Sequence, residues 1–232
     1  MISGKSFSQL CQWVIDPRYP CREQFVYSQS KDGDWIFING DYLHVFFDIV
    51  PLLNNKRYII IIHNSDLTFT EQKFERLRKY IYHVYAINTN FMHPRVTTIP
   101  LGFVDKQLPF IEGFVDKTLE RDIEIYCNFT MSTNTPKRNE CLVAFQGDPR
   151  VTTETNLAVT DYYNRLCRAK FVLCPEGTGM DTHRVYEALL CELLPLFYEI
   201  HFLICMRDYP FVSLTNGVIR SMYPKTRYFI QM

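Results

Sequence analysis

The sequence has no net charge, no signal peptide and no apolar run long enough to cross a membrane. Its 25 lysine and arginine residues balance 25 aspartate and glutamate residues, whereas nucleic-acid-binding proteins usually carry a basic excess. The longest apolar run, 58–62, is far shorter than the roughly 20 residues of a membrane-spanning helix. The first twenty residues contain no continuous apolar segment typical of a secretory leader. We therefore expect a cytoplasmic protein with no nucleic-acid partner and no membrane insertion.

The eight cysteines are scattered and form no CxxC pair. Cys174 and Cys191 fall at predicted strand and helix positions, where free cysteines behave as small buried hydrophobic residues. This pattern favours neither a disulfide framework nor a zinc site. We expect no metal ion and no cofactor.

Apolar strand-like runs alternate with helical segments along most of the chain, which predicts an α/β protein with parallel sheets. The predicted strands are 35–38, 58–62, 83–87, 96–101, 122–129, 171–174 and 194–198. The predicted helices are 42–53, 70–80, 137–146, 162–168 and 181–192. The pattern loosens over 108–120, which indicates a linker. We therefore predict two Rossmann-like domains facing across a cleft.

The predicted domain bounds follow from that linker. Residues 1–110 form an N-terminal domain, and residues 111–205 form a C-terminal domain. The remaining residues, 206–232, form a tail that is expected to pack back on the N-terminal domain.

The most informative stretch is 171–189, which reads FVLCPEGTGMDTHRVYEAL. A buried strand enters a loop containing Gly177, Thr178 and Gly179, and a helix is predicted to begin at Asp181 or Thr182. Glycines let backbone N–H groups approach an anion, and a helix start supplies unpaired donors and a positive dipole end. The stretch is neither a P-loop nor a GxGxxG motif, because no Gly-Lys-Ser/Thr follows and the glycine spacing differs. It nevertheless predicts an anion site at the carboxyl end of a strand.

The helix that follows this loop has two chemically different faces. His183, Arg184 and Glu187 share an arc of about 100°, while Val185 and Leu189 lie opposite and would pack on the sheet. The alternative is a strand–turn–helix unit whose charged residues only face the solvent.

The stretch resembles the C-terminal signature of the exostosin-like glycosyltransferases, in which a strand, Cys-Pro, a Gly-rich turn and an Arg-x-x-Glu helix form the donor site. Segments 39–42, 63–66, 95–102 and 128–138 are similar to other strand ends and loops of that family. The resemblance covers most of 34–200. It implies a GT-B-like fold in which 1–110 is the acceptor-side domain and 111–205 the nucleotide-sugar-binding domain. It also implies an inverting, metal-independent transfer from a UDP-sugar, with UDP-xylose as the first guess, to a glycan or glycoprotein acceptor. Unlike the animal enzymes, this chain shows no membrane anchor, and its shortness resembles compact relatives of large DNA viruses and microbes.

The resemblance implies donor-binding roles for ten residues of the C-terminal half: Asn128, Arg138, Gly177, Thr178, Gly179, Asp181, Thr182, His183, Arg184 and Glu187. Arg184 suits a bidentate contact with a diphosphate, and Arg138 would neutralise the second phosphate. Glu187 would accept hydrogen bonds from ribose hydroxyls. Its alternative is an i, i+3 ion pair with Arg184. His183 would contact the phosphate or only cover the helix face.

The acceptor hydroxyl needs a general base, which we expect from the N-terminal domain. Asp41 is the preferred candidate and Asp66 the second, with His44 and His63 as further acceptor-side candidates. The alternative for Asp41 is a helix N-cap. Residues 32–34 read Asp-Gly-Asp. In single-domain glycosyltransferases a pair of aspartates with this spacing holds the metal ion, but Asp-Gly is also common in ordinary turns.

Two other functions are compatible with the same residues. One is a Mg²⁺-dependent nucleotide phosphotransferase or hydrolase, for which Asp181 is the carboxylate nearest the loop. The other is a nucleotide-sugar-binding module without catalytic activity.

Overall fold

The computed structural model describes residues 1–52, 55–197, 212–215, 218–221 and 230–231. These fall into two compact units. The first contains Met1–Asp105 and the short segment Gly179–Asp181, and the second contains Lys106–Thr178 and Thr182–Met232. Within the described residues, every helix is too short or too polar to traverse a bilayer.

The first unit is built on a sheet of parallel strands. Its α-helices are α1 (Gly4–Ser8), α2 (Leu43–Ile49) and α3 (Glu71–Leu77). Its strands are β1 (Trp13–Ile15), β2 (Trp35–Asn39), β3 (Tyr58–His63), β4 (Ile81–Ala86) and β5 (Val96–Thr98). Short 3-10 turns at Gly40–Tyr42, Val50–Leu52 and Arg78–Tyr80 extend the ends of α2 and α3.

The strands of the first sheet follow chain order, β1-β2-β3-β4-β5, and all neighbours are parallel. Because right-handed crossovers that always advance in one direction put their helices on one face, α2 and α3 cover the same side. Phe46 of α2 and Phe74 of α3 are fully buried there against Ile36 and Ile60 of the strands. This sheet therefore has no reversal of strand order among its described strands.

The second unit carries a larger sheet. Its α-helices are α4 (Leu108–Phe114), α5 (Thr135–Ala144), α6 (Val159–Cys167) and α7 (His183–Leu190), with a 3-10 turn at Met131–Thr133. Its strands are β6 (Ile123–Cys127), β7 (Val151–Thr153), β8 (Ala169–Leu173), β9 (Leu194–Phe197), β10 (Val212–Thr215), β11 (Val218–Ser221) and β12 (Ile230–Gln231). The order is β12-β11-β10-β9-β8-β6-β7. The five neighbouring strands β7, β6, β8, β9 and β10 are parallel. Strand β11 pairs antiparallel with β10, and β12 pairs antiparallel with β11.

The strand order of the second sheet reverses at β6. The chain passes from β6 outward to β7 and then returns across β6 to β8, so successive crossovers lie on opposite faces. Cys141 of α5 packs with Cys127 on one face, and the Tyr162 ring of α6 lies 6.4 Å from that of Tyr126 on the other. In open α/β sheets, ligands bind beyond the carboxyl ends of the strands at such a reversal. The switch point lies between β6 and β8.

The predicted α/β class with parallel sheets is confirmed, and two parallel sheets are compatible with two Rossmann-like domains. The segment 108–120, expected to be a linker, begins with α4, where Ile111 is fully buried. The units divide at residue 105, where the sequence suggested 110. Most of the predicted tail, 206–232, lies outside the described residues, including any segment that would pack on the N-terminal domain. The tail strands that are described pair within the second sheet.

Candidate functional site

The loop after β8 and the start of α7 form the region that the sequence singles out. Strand β8 ends at Leu173 and α7 begins at His183, with Thr182 in the N-cap position. The Thr182 side chain makes no capping hydrogen bond, and its Oγ1 atom is buried without a hydrogen-bond partner among the described residues. The first turn of α7 therefore keeps backbone donors that its cap does not use.

Residues near the start of α5 hold the middle of this loop. The Nδ2 atom of Asn134 donates to the carbonyl of Gly177 at 2.8 Å, and the Thr178 hydroxyl donates to the carbonyl of Thr133 at 3.1 Å. Asn134 also caps α5 by accepting from the N–H of Lys137. One side chain thus fixes both the helix start and the loop, so the loop lies at the carboxyl ends of β6 and β8.

The two predicted phosphate-loop glycines make room for neighbouring side chains. A Cβ atom at Gly177 would lie 3.1 Å from Nη2 of Arg138, and one at Gly179 would lie 2.8 Å from Nδ2 of Asn88. Neither glycine has the left-handed backbone conformation that glycine uniquely favours. Close side-chain approach is therefore the structural reason for glycine at both positions.

Asp181 belongs to the first unit in its contacts, although the sequence places it in the donor motif. Its carboxylate is 3% exposed, and its Oδ2 atom accepts from the N–H of Leu101 at 2.8 Å. Its own N–H donates to Oδ1 of Asn88 at 3.0 Å. One carboxylate oxygen thus accepts from the backbone of the first unit, which gives Asp181 a structural role beside the donor contact that remains a prediction.

Arg138 is a buried cation surrounded by carbonyl oxygens. Its side chain projects from α5 and is 8% exposed; Nε donates to the carbonyl of Glu176 at 3.2 Å, and Nη1 donates to the carbonyl of Thr130. The guanidinium also lies 5.4 Å from the ring centroid of Phe129. Burial, and then the nearby charge of Arg184, lower the pKa of Arg138 below its usual value. The two guanidinium groups are therefore close enough for their charges to repel.

Arg184 and Glu187 do not form the direct ion pair that their spacing allows. Tyr162 lies between them: its hydroxyl donates to Oε2 of Glu187 at 2.6 Å and accepts from Nη1 of Arg184 at 3.0 Å. The guanidinium carbon lies 5.3 Å from the centroid of the Tyr162 ring. Burial acts to lower the pKa of Arg184, but its interactions with Tyr162 and Glu187 outweigh this and raise it. The cation is held in place by a hydroxyl and by an aromatic face.

Within the described part of the chain, neither Arg138 nor Arg184 lies within 4.0 Å of a carboxylate oxygen. A buried charge is costly unless it is paired, and carbonyl or hydroxyl oxygens compensate it only in part. Two such cations beside the switch point are suited to bind an anionic group with several oxygens.

Tyr162 is the functional candidate that the sequence did not reveal. It lies on the amphipathic helix α6, where an aromatic residue is ordinary, and only the packing of α6 beside α7 brings it to Arg184. Asn128 follows β6 as predicted, and its Nδ2 atom donates to the Tyr126 hydroxyl at 3.1 Å. His183 is the first residue of α7 and is partly buried.

In the first unit, Asp41 has an exposed carboxylate beside the carboxyl end of β2. Its Oδ1 atom accepts from the Ser65 hydroxyl at 2.5 Å. Asn39 caps the turn Gly40–Tyr42 by accepting from the N–H of Asp41 at 3.0 Å, so the N-cap role considered for Asp41 belongs to Asn39. Nδ1 of His44 lies 3.0 Å from the carbonyl oxygen of Asp41, and the His44 ring stacks on Tyr42.

The other two acceptor-side candidates differ sharply in exposure. Asp66 is exposed. His63 is 1% exposed, with Nε2 placed to donate to the carbonyl of Pro100 at 3.1 Å and Nδ1 placed to accept from the N–H of Asn64 at 2.8 Å. Because both ring nitrogens are occupied inside the protein, we no longer consider His63 a candidate base.

The Asp-Gly-Asp sequence at 32–34 forms a turn whose carboxylates have protein partners. Asp32 accepts from the N–H of Arg57 at 2.6 Å and from the Tyr82 hydroxyl at 2.8 Å. Asp34 accepts from Nε1 of Trp13 at 2.7 Å. Among the described residues, no group of three or more histidine, cysteine, aspartate or glutamate side chains could hold a metal ion.

The site is thus a pair of cations at the carboxyl ends of β6 and β8. No protein-family model matches the chain, and a search of curated proteins also gives no match. A functional conclusion therefore has to rest on the chemistry of Arg138 and Arg184.

Proposed function

We propose that the chain is an inverting glycosyltransferase that uses a nucleotide-sugar donor, a UDP-sugar in the first instance, and a glycan hydroxyl as acceptor. The observation that carries this proposal is the pair of guanidinium groups, Arg138 and Arg184, which lack a carboxylate partner among the described residues. Both lie beside the switch point of a parallel sheet, where nucleotides bind in many α/β proteins.

A diphosphate suits this pair in charge and in shape. Guanidinium groups bind phosphate oxygens through two parallel N–H bonds, and two of them can bind the two phosphates. The unused backbone donors at the start of α7 add a third positive element. During transfer, negative charge develops on the leaving diphosphate, and fixed cations stabilise such charge without rearranging. The leaving group therefore needs no general acid.

The acceptor hydroxyl does need a base, since an alcohol is a poor nucleophile near neutral pH. Asp41 is the candidate we retain, because its carboxylate is exposed and the Ser65 hydroxyl fixes its orientation. In this proposal the two units adopt a GT-B-like arrangement, with Asp41 on the acceptor side and the arginines on the donor side. Inversion follows if the base and the leaving group act on opposite faces of the anomeric carbon.

The Mg²⁺-dependent phosphotransferase is less well supported. It needs a carboxylate to hold the ion beside the loop, and Asp181 was the candidate for that role. Its Oδ2 atom instead accepts from the N–H of Leu101, and the residue is buried. A binding module without catalysis would use the same two arginines, so only turnover separates it from a transferase.

Donor turnover tests the proposal. The protein is incubated with UDP- and GDP-sugars, including UDP-xylose, and with a mixture of glycans, once with EDTA and once with Mg²⁺. We expect release of UDP or GDP that persists in EDTA, measured by coupled assay and by mass spectrometry of the glycans. Mg²⁺-dependent cleavage of ATP or GTP without sugar transfer would support the phosphotransferase instead. Tight UDP binding without any turnover would support the binding module.

A further inference from the structure

Tyr162 contacts two of the charged residues that the resemblance assigns to the donor site, Arg184 and Glu187. Its hydroxyl lies 2.6 Å from Oε2 of Glu187 and 3.0 Å from Nη1 of Arg184. A phenol has one proton to donate. It donates that proton to the carboxylate, because the guanidinium can only donate. The order of the bonds is therefore Arg184 to Tyr162 to Glu187.

The buried environment strengthens these two consecutive hydrogen bonds and fixes their direction. Glu187 is 9% exposed, and burial is the main reason why the pKa of Tyr162 lies well above its usual value. The hydroxyl therefore stays protonated at neutral pH. Hydrogen bonds in series polarise one another in a poorly solvated site, so the carboxylate strengthens the bond between the hydroxyl and the guanidinium.

The Tyr162 ring restricts the same guanidinium from a second direction. The Arg184 guanidinium carbon lies 5.3 Å from the ring centroid, within the range of a cation–π contact. The ring is itself held by Tyr163, whose centroid is 5.1 Å away, and by Tyr126 at 6.4 Å. Nη1 is thus occupied, and no other Arg184 donor has a hydrogen-bond partner among the described residues. These remaining donors are available for an anion.

We propose that Tyr162 is a positioning residue for the anion-binding guanidinium of Arg184, and that Glu187 acts through Tyr162 as its anchor. This inference rests on the proposed function, because it takes Arg184 as the residue that binds the donor diphosphate. It assigns Glu187 a role different from the ribose contact that the resemblance implies. The loss of the Tyr162 hydroxyl should therefore weaken diphosphate binding only while Arg184 is present.

A double-mutant cycle with UDP as the probe tests this proposal. UDP affinity is measured by calorimetry, with competition for weak binders, for wild type, Tyr162→Phe, Arg184→Ala and the double variant. Tyr162→Phe keeps the ring and removes both hydrogen bonds. We expect it to weaken UDP binding about 3- to 10-fold in the wild-type background, the equivalent of one ordinary hydrogen bond. In the Arg184→Ala background it should have no further effect.

Tyr163→Phe is the matched control. Tyr163 is the next residue on α6; burial and the nearby Glu187 raise the pKa of its hydroxyl, but that hydroxyl makes no hydrogen bond to Arg184 among the described residues. We expect this variant to keep the UDP affinity of wild type, and thermal unfolding of all four single and double variants checks that they fold.

Two results would overturn the inference. One is an unchanged UDP affinity for Tyr162→Phe while Arg184→Ala weakens binding. The other is an equal loss from Tyr162→Phe with and without Arg184, which would show that Tyr162 acts elsewhere. If Arg184→Ala itself leaves UDP affinity unchanged, the donor site and hence the proposed function fail.

Discussion

Asp41 shows how one side chain can be both accessible and oriented. Its carboxylate is exposed, yet the Ser65 hydroxyl donates to Oδ1 at 2.5 Å. Ser65 is itself fixed, since its Oγ accepts from the N–H of Leu67 at 3.0 Å. A general base needs this combination, because it must reach the acceptor proton in a defined geometry.

We therefore expect Asp41→Asn to lower sugar transfer by roughly 10²- to 10⁴-fold, the usual contribution of a general base, while UDP affinity stays the same. The amide keeps the size of the side chain and can still accept from Ser65, but it cannot take a proton. Initial rates with a labelled UDP-sugar and a working glycan acceptor measure the effect.

Asp66→Asn is the control, because Asp66 is exposed, directly follows Ser65 in the sequence and carries the same charge. It should retain most of the activity. A large loss in Asp66→Asn with none in Asp41→Asn would exchange the two roles. Nearly normal rates in both variants would place the base elsewhere, with His44 as the next candidate.

Residue types alone predicted part of the candidate site. Arg138 and Arg184 could be singled out because arginine near a strand end and a helix start suits phosphate. The hydrogen bond from Tyr162 to Glu187 could not be predicted, since it depends on how α6 packs beside α7. His63 was a plausible base by its type, but its burial is a property of the tertiary structure and has no signal in the sequence.

The segment Gly179–Asp181 is the clearest structural feature at the level of the elements. It follows β8 in the chain but contacts the strand ends of the first unit. There the Asp181 carboxylate accepts from the N–H of Leu101, and the Asn88 side chain accepts from the N–H of Asp181. Gly179 allows the Asn88 side chain to approach. These contacts place the segment in the first unit.

We expect Asp181→Ala to destabilise the protein by about 1.5–3 kcal/mol, because it removes the buried, charged acceptor of the Leu101 N–H. Asp181→Asn should lose less, since the amide oxygen can still accept. Urea unfolding followed by circular dichroism measures both. If stability is unchanged while UDP affinity falls, Asp181 has the donor-binding role that the sequence suggested.

The longer elements were predictable, and most of the shortest ones were not. Strand β3, Tyr58–His63, contains the continuous apolar run 58–62, and α7 has one apolar and one polar face, so their patterns are evident. β1 and β7 have three residues each, too few for a periodic pattern. The order of strands in a sheet depends on contacts between distant residues, so the switch point at β6 appears only in the structure.

The formal charge of the whole chain is zero. Among the described residues, five arginines form an ion pair with a carboxylate, as Arg150 does with Asp148 at 2.6 Å, while others, such as Arg95 and Arg121, donate to carbonyl oxygens. Arg138 and Arg184 likewise meet carbonyl and hydroxyl oxygens. The composition correctly gave no reason to expect a basic protein, and it could not show that two cations gather beside the second sheet.

In the proposed function, Arg138 and Arg184 together bind the diphosphate of a sugar nucleotide. Calorimetry with UDP on wild type, Arg138→Ala, Arg184→Ala and Arg150→Ala tests it most directly. Arg150 is the control, because it lies in the same unit and has a carboxylate partner. We expect each of the first two variants to lose about 1.5–3 kcal/mol of binding free energy, the usual cost of removing a charge-assisted bond, and Arg150→Ala to lose none. Unchanged UDP affinity in Arg138→Ala and Arg184→Ala, with the fold intact by circular dichroism, would contradict a diphosphate site formed by these two arginines.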